Sequence, residues 1–301
     1  MQQQASHFTV DGTRLQAYFH RPERHDDTAL PIVVMGNGFA TEWQFGTRPA
    51  IEAFTAAGIA TMNFDYRSFG QSDGEPRQVV DIPGQQDDFL AALEHARAQP
   101  WVDARRIIIW GSSLGGGHAI SMAARFPSAF AMIAQVPHCC SRAAFKTVAL
   151  GNVLTGMSRA IADSLKALFG GKPILLPAVA EPEQYAVMNY PGWRESYQQH
   201  LAKGSTTWQN SIPARSLLKG GDYRPLLVAE QIRCPSLLVA ARDDAGVPLA
   251  SVRQTAAMIA NAQLKIIDGD HFGVYYGPHI DDVVEAELTF IKQQLLHAES
   301  S

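Results

Sequence analysis

The sequence has no apolar run approaching the roughly 20 residues that a bilayer-crossing helix requires, so no transmembrane anchor is expected. Its first residues, MQQQASHFTVDGTRL, lack both the basic segment and the apolar core of a secretory signal. Cysteine is scarce: three in 301 residues, with Cys139 and Cys140 adjacent and Cys234 far away. That spacing fits neither a zinc site nor a disulfide framework, and it agrees with a reducing, cytoplasmic setting. Excess basic charge is missing too. The 25 Lys and Arg are outnumbered by 29 Asp and Glu, for a net charge of -4. This leaves no electrostatic footprint for nucleic acid and no polybasic run for a membrane surface. Neither G-x-x-x-x-G-K-[ST] nor H-E-x-x-H occurs, so phosphate cradling and zinc hydrolysis have no support, and neither metal nor cofactor is expected. Gly36 and Gly38 could open a dinucleotide fingerprint, but its third position is Thr41 and no convincing ribose acid follows.

What is present is an alternation. Short apolar runs closed by Gly, Pro or polar residues read as buried strands at Ile32–Met35, Ala60–Phe64, Arg106–Trp110, Phe130–Val136, Ser236–Ala241 and Leu264–Ile267. Helical patterns lie between most of them, at Arg48–Ala57, Pro83–Ala98 and Leu114–Phe126. Strands alternating with helices predict a doubly wound α/β fold, a mostly parallel sheet covered on both faces. His7–Val10 and Leu15–His20, around Asp11-Gly12, read instead as an antiparallel hairpin at the sheet edge. A last helix from Asp281 to about His297 places Val284, Leu288 and Ile291 on one apolar face.

From about His138 to Arg233 the alternation stops. Helical patterns at Ala143–Ala149, Ser158–Phe169 and Arg194–Leu201 mix there with Pro- and Gly-rich stretches. A gap this long between two core strands needs structure of its own. The division expected is a core of residues 1–137 and 234–301, with 138–233 inserted as a helical cap over the site; the alternative is a side-lobe with no part in binding. The insertion's aromatics, among them Phe145, Trp193 and Trp208, suit a pocket roof, with Trp193 or Trp208 lining the pocket or packing behind it. They would equally suit a small core of the insertion's own.

The chemistry centres on RIIIW-GSSLG-GGHAISMAARF. A strand runs directly into Gly111-Ser112-Ser113-Leu114-Gly115 and a helix follows, which is the setting of a G-x-S-x-G nucleophile elbow. The sharp turn lifts the Ser113 hydroxyl clear of the sheet edge. A serine needs a base, and His271 falls just after the last strand and before the final helix. His138, at the start of the insertion, is a candidate pocket residue. An acid between nucleophile and histidine must orient the imidazole. Asp243 and Asp244 end a strand in CPSLLVAARDDAGVPLA, whereas Asp268 and Asp270 sit in the histidine's own loop and read as turn residues. Oxyanion donors are expected from the backbone N–H groups of Leu114 and of Phe39, in the loop after an early strand.

These motifs resemble those of the α/β-hydrolase superfamily, over nearly the whole chain. VVMGNGF looks like its V-x-x-x-H-G-F oxyanion strand, NFDYRSFGQSDG its D-Y-R-G-x-G-x-S loop, ARDDAGVP its acid turn and GDHF its histidine loop. Aligning the acid turn on Val247-Pro248 puts the carboxylate at Asp244. Asn37 and Ser68 stand where that family usually has His and Gly, so an unusual loop is expected near the oxyanion site. Asp65 and Arg67 are expected to brace their loop rather than act on substrate. VMGNGF, DGEPRQVVD and QPWVDARRI resemble more narrowly a dienelactone-hydrolase-like and X-prolyl-peptidase-like group that includes esterases and polyketide acyl transferases. The resemblance implies a serine hydrolase acting on a small-molecule acyl ester or thioester, with acyl transfer from the same triad as an alternative. A non-catalytic receptor on the same fold is a remoter one.

Overall fold

The computed structural model of the chain describes residues 1–23, 28–145, 150–201 and 205–299. Strands β1 (Gln2–Val10), β2 (Thr13–Arg21), β3 (Leu30–Gly36), β4 (Ala60–Phe64), β5 (Val102–Ser112), β6 (Ala131–Gln135), β9 (Ser236–Ala241) and β10 (Ala262–Ile267) form one sheet in the order β1-β2-β4-β3-β5-β6-β9-β10. The β1–β2 hairpin is antiparallel and β2 meets β4 antiparallel; from β4 to β10 all pairs are parallel. The hairpin runs from Gln2, longer than its apolar pattern indicates, because β2 supplies a full partner ladder down to Arg21.

Parallel strands need both faces covered, and the side chains show it. Ile32, Val34, Ile107 and Ile109 enter one core with Phe89, Leu93 and Ile120 of helices α2 (Ile82–Arg97) and α3 (Leu114–Arg125). Their neighbours Val33, Met35, Ile108 and Trp110 enter the other, with Ile51 and Phe54 of α1 (Arg48–Ala56) and Phe290 and Ile291 of α9 (Ile280–Glu299). The α9 face differs from its sequence pattern. It buries Val283, Glu287, Phe290 and Ile291, while Val284 and Leu288 are only partly covered. Helix α8 (Leu249–Met258) joins β9 to β10.

Between β6 and β9 lie α4 (Ser141–Phe145), α5 (Leu150–Leu168), β7 (Leu175–Leu176), α6 (Trp193–Glu195), a π-helical turn Ser196–Leu201, β8 (Ile212–Pro213), α7 (Ser216–Gly220) and a 3-10 turn Pro225–Gln231. This connection is less purely helical than its sequence suggests: β7 and β8 pair antiparallel, and the pattern at Arg194–Leu201 winds as a π turn. Of the pattern at Ala143–Ala149, residues 146–149 and the Phe145 side chain lie outside the described residues. A buried Asp163 on α5 ties the connection together. It accepts hydrogen bonds from the Ile174 and Arg215 N–H groups and a two-pronged contact from the Arg215 guanidinium at 2.7 and 3.0 Å. Burial raises its pKa, but the Arg215 hydrogen bonds prevail and hold it below the ordinary carboxylate value. The carboxyl ends of β3, β5, β6, β9 and β10 all open on the same edge of the sheet, beneath this connection, where sites in such folds assemble.

Candidate active site

The turn after β5 is strained at one residue. Ser113 has φ 55° and ψ -118°, a left-handed conformation that costs a non-glycine residue on the order of 1–3 kcal/mol. Backbone bonds hold it there: Ser113 N–H donates to the Gln135 carbonyl at 2.9 Å, and the Ser113 carbonyl accepts from Gly117 and His138. The flanking glycines are steric necessities. A Cβ on Gly111 would lie 2.0 Å from the Gly115 carbonyl oxygen, and one on Gly115 would lie 2.4 Å from those of Gly36 and Asn37.

Three side chains from three strand ends then meet. His271, beyond β10, has Nε2 3.1 Å from Ser113 Oγ and Nδ1 2.6 Å from Asp244 Oδ2. A carboxylate can only accept, so Nδ1 donates and Nε2 is left to receive the serine hydrogen. Asp244 is fixed from its other oxygen, which accepts from the N–H groups of Gly246 and Val247 at 2.9 and 2.7 Å. The Val-Pro turn therefore aims this carboxylate at the imidazole, and the Asp244 side chain is only 1 % exposed. Asp243 is solvent-exposed. Asp270 accepts from Phe272 and Gly273 N–H groups as a turn residue, and Asp268 pairs with Arg242 at the surface.

Beside Ser113 lies a cavity of about 170 Å³, walled by Phe39, Val80, Ile82 and Leu114 from the sheet side and by Val187, Met188, Tyr190, Trp193, Ile212 and Leu217 from the β6–β9 connection. Phe39 and Leu114 line the same cavity as Ser113. Trp193 does two things: it lines the cavity, and its indole stacks on His271 with centroids 4.9 Å apart and planes 22° apart. His138 lines the cavity too, with Nε2 3.0 Å from Ser141 Oγ and its ring stacked on Tyr223. Burial pushes its pKa down to about 4, with His271 adding a smaller push, so it is neutral at neutral pH.

Trp208 is not among the residues that wall the cavity. Its ring packs on Phe45 and Tyr197, away from the cavity wall, and its N–H donates to the Ala40 carbonyl at 2.7 Å. It is occupied in holding the Phe39–Ala40 turn, where Ala40 sits at φ 52°. Tyr197 holds the same turn, its hydroxyl donating to the Phe39 carbonyl at 3.0 Å. Tyr197 is one of the insertion's aromatics, whereas Tyr275, which shares a 2.6 Å hydrogen bond with Ser112, is a contributor that the sequence does not announce. Neither lies in a recognisable motif, and only the packing reveals their roles.

The unusual loop residues find local roles. Asn37 donates to the Phe64 carbonyl at 2.6 Å, and Ser68 adopts φ 67° while its hydroxyl accepts from Val79 N–H. Asp65 accepts from Trp43 and Gln71 N–H groups, and Arg67 grips the buried Asp88 with two nitrogens; both brace the fold rather than face the cavity. The described cysteines are all free thiols. Among the described residues, no cluster of His, Cys, Asp or Glu is built to hold a metal ion, and no helix is long and apolar enough to cross a membrane.

The family model of the serine aminopeptidase S33 hydrolases matches residues 28–271, which include every strand from β3 onward and all three residues of the hydrogen-bonded chain. The chain belongs to this family. It is 31% identical over 286 residues to the quorum-quenching protein AidA of Acinetobacter baumannii, covering 95% of this chain and 93% of that protein. It is 26% identical to the thiohydrolase aneE of Aspergillus aculeatus, covering 95% and 92%. Among solved structures, the α/β hydrolase GrgF from Penicillium sp. superposes with a TM-score of 0.83 at 23% identity, covering 98% of this chain and 99% of that one. The protein is accordingly an α/β hydrolase whose relatives carry hydrolase and thiohydrolase names.

Proposed function

We propose that the protein cleaves a carboxylic ester or thioester through an acyl-Ser113 intermediate. The observation that carries this reading is the continuous chain from Ser113 Oγ through His271 to Asp244, anchored on a serine held at φ 55°. Ser113 Oγ attacks the acyl carbon while His271 Nε2 takes its proton, and Asp244 stabilises the imidazolium. The N–H groups of Leu114 and Phe39 receive the oxyanion, helped by the N-terminus of α3. Collapse breaks the bond to the leaving alcohol or thiol, which takes the proton from His271. Water then repeats the sequence on the acyl-enzyme, returning the free acid and the serine.

In this reading residues 138–233 act as a cap whose inner surface sets acyl specificity, with Trp193 and His138 as contacts. A dry cavity of roughly 150 Å³ holds a benzene-sized ligand, so the 170 Å³ site suits an acyl group of one ring or a short chain. The mainly apolar, roofed site also supports a second reading, transfer of the acyl group to an alcohol or amine, because a site that excludes water favours a bound acceptor.

The test is labelling with a fluorophosphonate, read by intact mass, followed by turnover of acyl esters and thioesters of graded size with and without alcohol or amine acceptors. Wild type should label and turn over, and Ser113→Ala should do neither while staying folded. A folded Ser113→Ala variant keeping more than about a thousandth of wild-type kcat refutes the assignment, since little beyond binding and oxyanion stabilisation survives loss of a nucleophile. Products carrying the acceptor in place of free acid would decide for transfer.

A further inference from the structure

Helix α5 is inside out. Its buried positions are Gly156, Ala160 and Asp163, while Leu150, Leu154, Met157, Ile161, Leu165 and Leu168 stand in solvent, all but Met157 more than half exposed. Phe169, directly after the helix, is 88% exposed. These residues follow one another at spacings of four, three, four, four and three, a single stripe along a helix about 28 Å long. Soluble proteins rarely leave such a contiguous apolar patch uncovered, and one of this size marks an interaction surface.

We propose that α5 pairs antiparallel with α5 of a second copy of this chain, joining two protomers through their β6–β9 connections. Three observations choose this occupant. First, the exposed face carries its own recesses: Gly151, Ser158 and Ala162 alternate with the large side chains, so the knobs of one helix meet holes on another, as helix–helix packing requires. A lipid surface needs no such relief. Second, the area suffices. Seven side chains contributing on the order of 100 Å² each amount to about 700 Å² per protomer, close to the roughly 800 Å² of a standard stable interface. Third, charge does not oppose it. Arg159, the cation at the middle of the helix, is turned aside, its guanidinium 4.9 Å over the Tyr185 ring.

The pairing would also bear on the cavity. A Cβ at Gly156, on the inner face of α5, would lie 3.0 Å from Leu217, which forms part of the cavity wall. A second helix clamped on the outer face fixes the helix against which that wall rests. The inference stands apart from the catalytic reading, since no residue of α5 walls the cavity.

Light scattering coupled to size-exclusion chromatography at micromolar concentration tests it. Wild type should have twice the 32.8 kDa chain mass, and the double variant Leu154→Glu with Ile161→Glu should run as a monomer with an unchanged circular dichroism spectrum. Ser158→Cys, near the midpoint of the helix, should give a covalent dimer on mild oxidation that wild type does not give. A monomeric wild type overturns the proposal, and if that monomer floats with phosphatidylcholine–phosphatidylglycerol vesicles the face belongs to lipid. A dimer that survives both glutamates also overturns it, and Ser158→Cys that fails to cross-link overturns the antiparallel pairing. If the double variant loses its fold, the single Leu154→Glu variant is read against the same outcomes.

Discussion

Gly246 and Trp193 offer a sharp test of how the roof holds the site. Gly246 has no side chain where the indole passes: a Cβ there would lie 2.4 Å from Trp193 Cη2 and 2.7 Å from Cζ2. Ordinary carbon contacts are about 3.5–4.0 Å, so Gly246→Ala must push the indole by about 1 Å. The N–H that Gly246 gives to Asp244 is retained, so the perturbation is steric. Overpacking of this kind costs about 1–3 kcal/mol, or several degrees of Tm at this chain length. The indole stacks on His271, so the imidazole inherits the displacement. Misplacement by about 1 Å can cost up to 10²-fold in rate, and kcat/KM should fall by about 10–100-fold. Trp193→Ala alone should cost about 3 kcal/mol, the low end for a buried Trp, since one side of the ring faces the cavity. In the Trp193→Ala background the alanine at 246 has nothing to strike, and its cost should vanish, giving a coupling of about 1–3 kcal/mol. Urea denaturation and ester turnover of the four proteins measure the cycle. Additive costs would refute the reasoning, whatever the size of each.

Two further outcomes are expected. Asp244→Asn should lower kcat by about 10⁴, because the amide cannot hold the imidazole in the tautomer that accepts the serine proton, while exposed Asp243→Asn should stay near wild type; equal losses from the two would remove Asp244 from its role. Glu287, buried beside Trp110, has its pKa pushed by burial up to about 8 from 4.5, with Trp110 offsetting part; the unfolded chain releases that proton first, so wild type should lose stability relative to Glu287→Gln from about pH 4.5 up to pH 8, by at most about 5 kcal/mol, and a gap in urea stability that stays flat from pH 5 to 9 would contradict it.

The parts of the molecule legible in the sequence share one property: each is encoded within a few residues of itself. The buried strands announce themselves because both faces of a parallel sheet are covered, so Ile32–Met35 and the Ile107–Trp110 part of Arg106–Trp110 read as unbroken apolar runs. Ser113, Asp244 and His271 each sit in a turn whose own glycines or proline are dictated by its shape. Helix patterning was less dependable, for a physical reason. Periodicity locates an apolar face but does not say what that face meets. In α9 the buried face includes Glu287, a residue that patterning assigns to solvent. In α5 the stripe is real and points outward, while the face turned to the protein is made of glycine, alanine and an aspartate paired to Arg215.

The β6–β9 connection is the part least legible in the sequence because its aromatics act at long range. Trp208 and Tyr197 hold the carbonyls of Ala40 and Phe39, residues about 160 positions earlier. Ser205 and Thr207 donate to the carboxylate of Glu42, and Gln78 is bonded to the backbone at Gln209 and Ser211. No local pattern could pair these residues, yet Trp208 and Tyr197 suspend the Phe39–Ala40 turn from the β6–β9 connection. The turn is strained at Ala40 and follows directly on Gly38, which lies against Ser113. Because Tyr197 and Trp208 hold the carbonyls of Phe39 and Ala40, the connection cannot shift without carrying that turn with it.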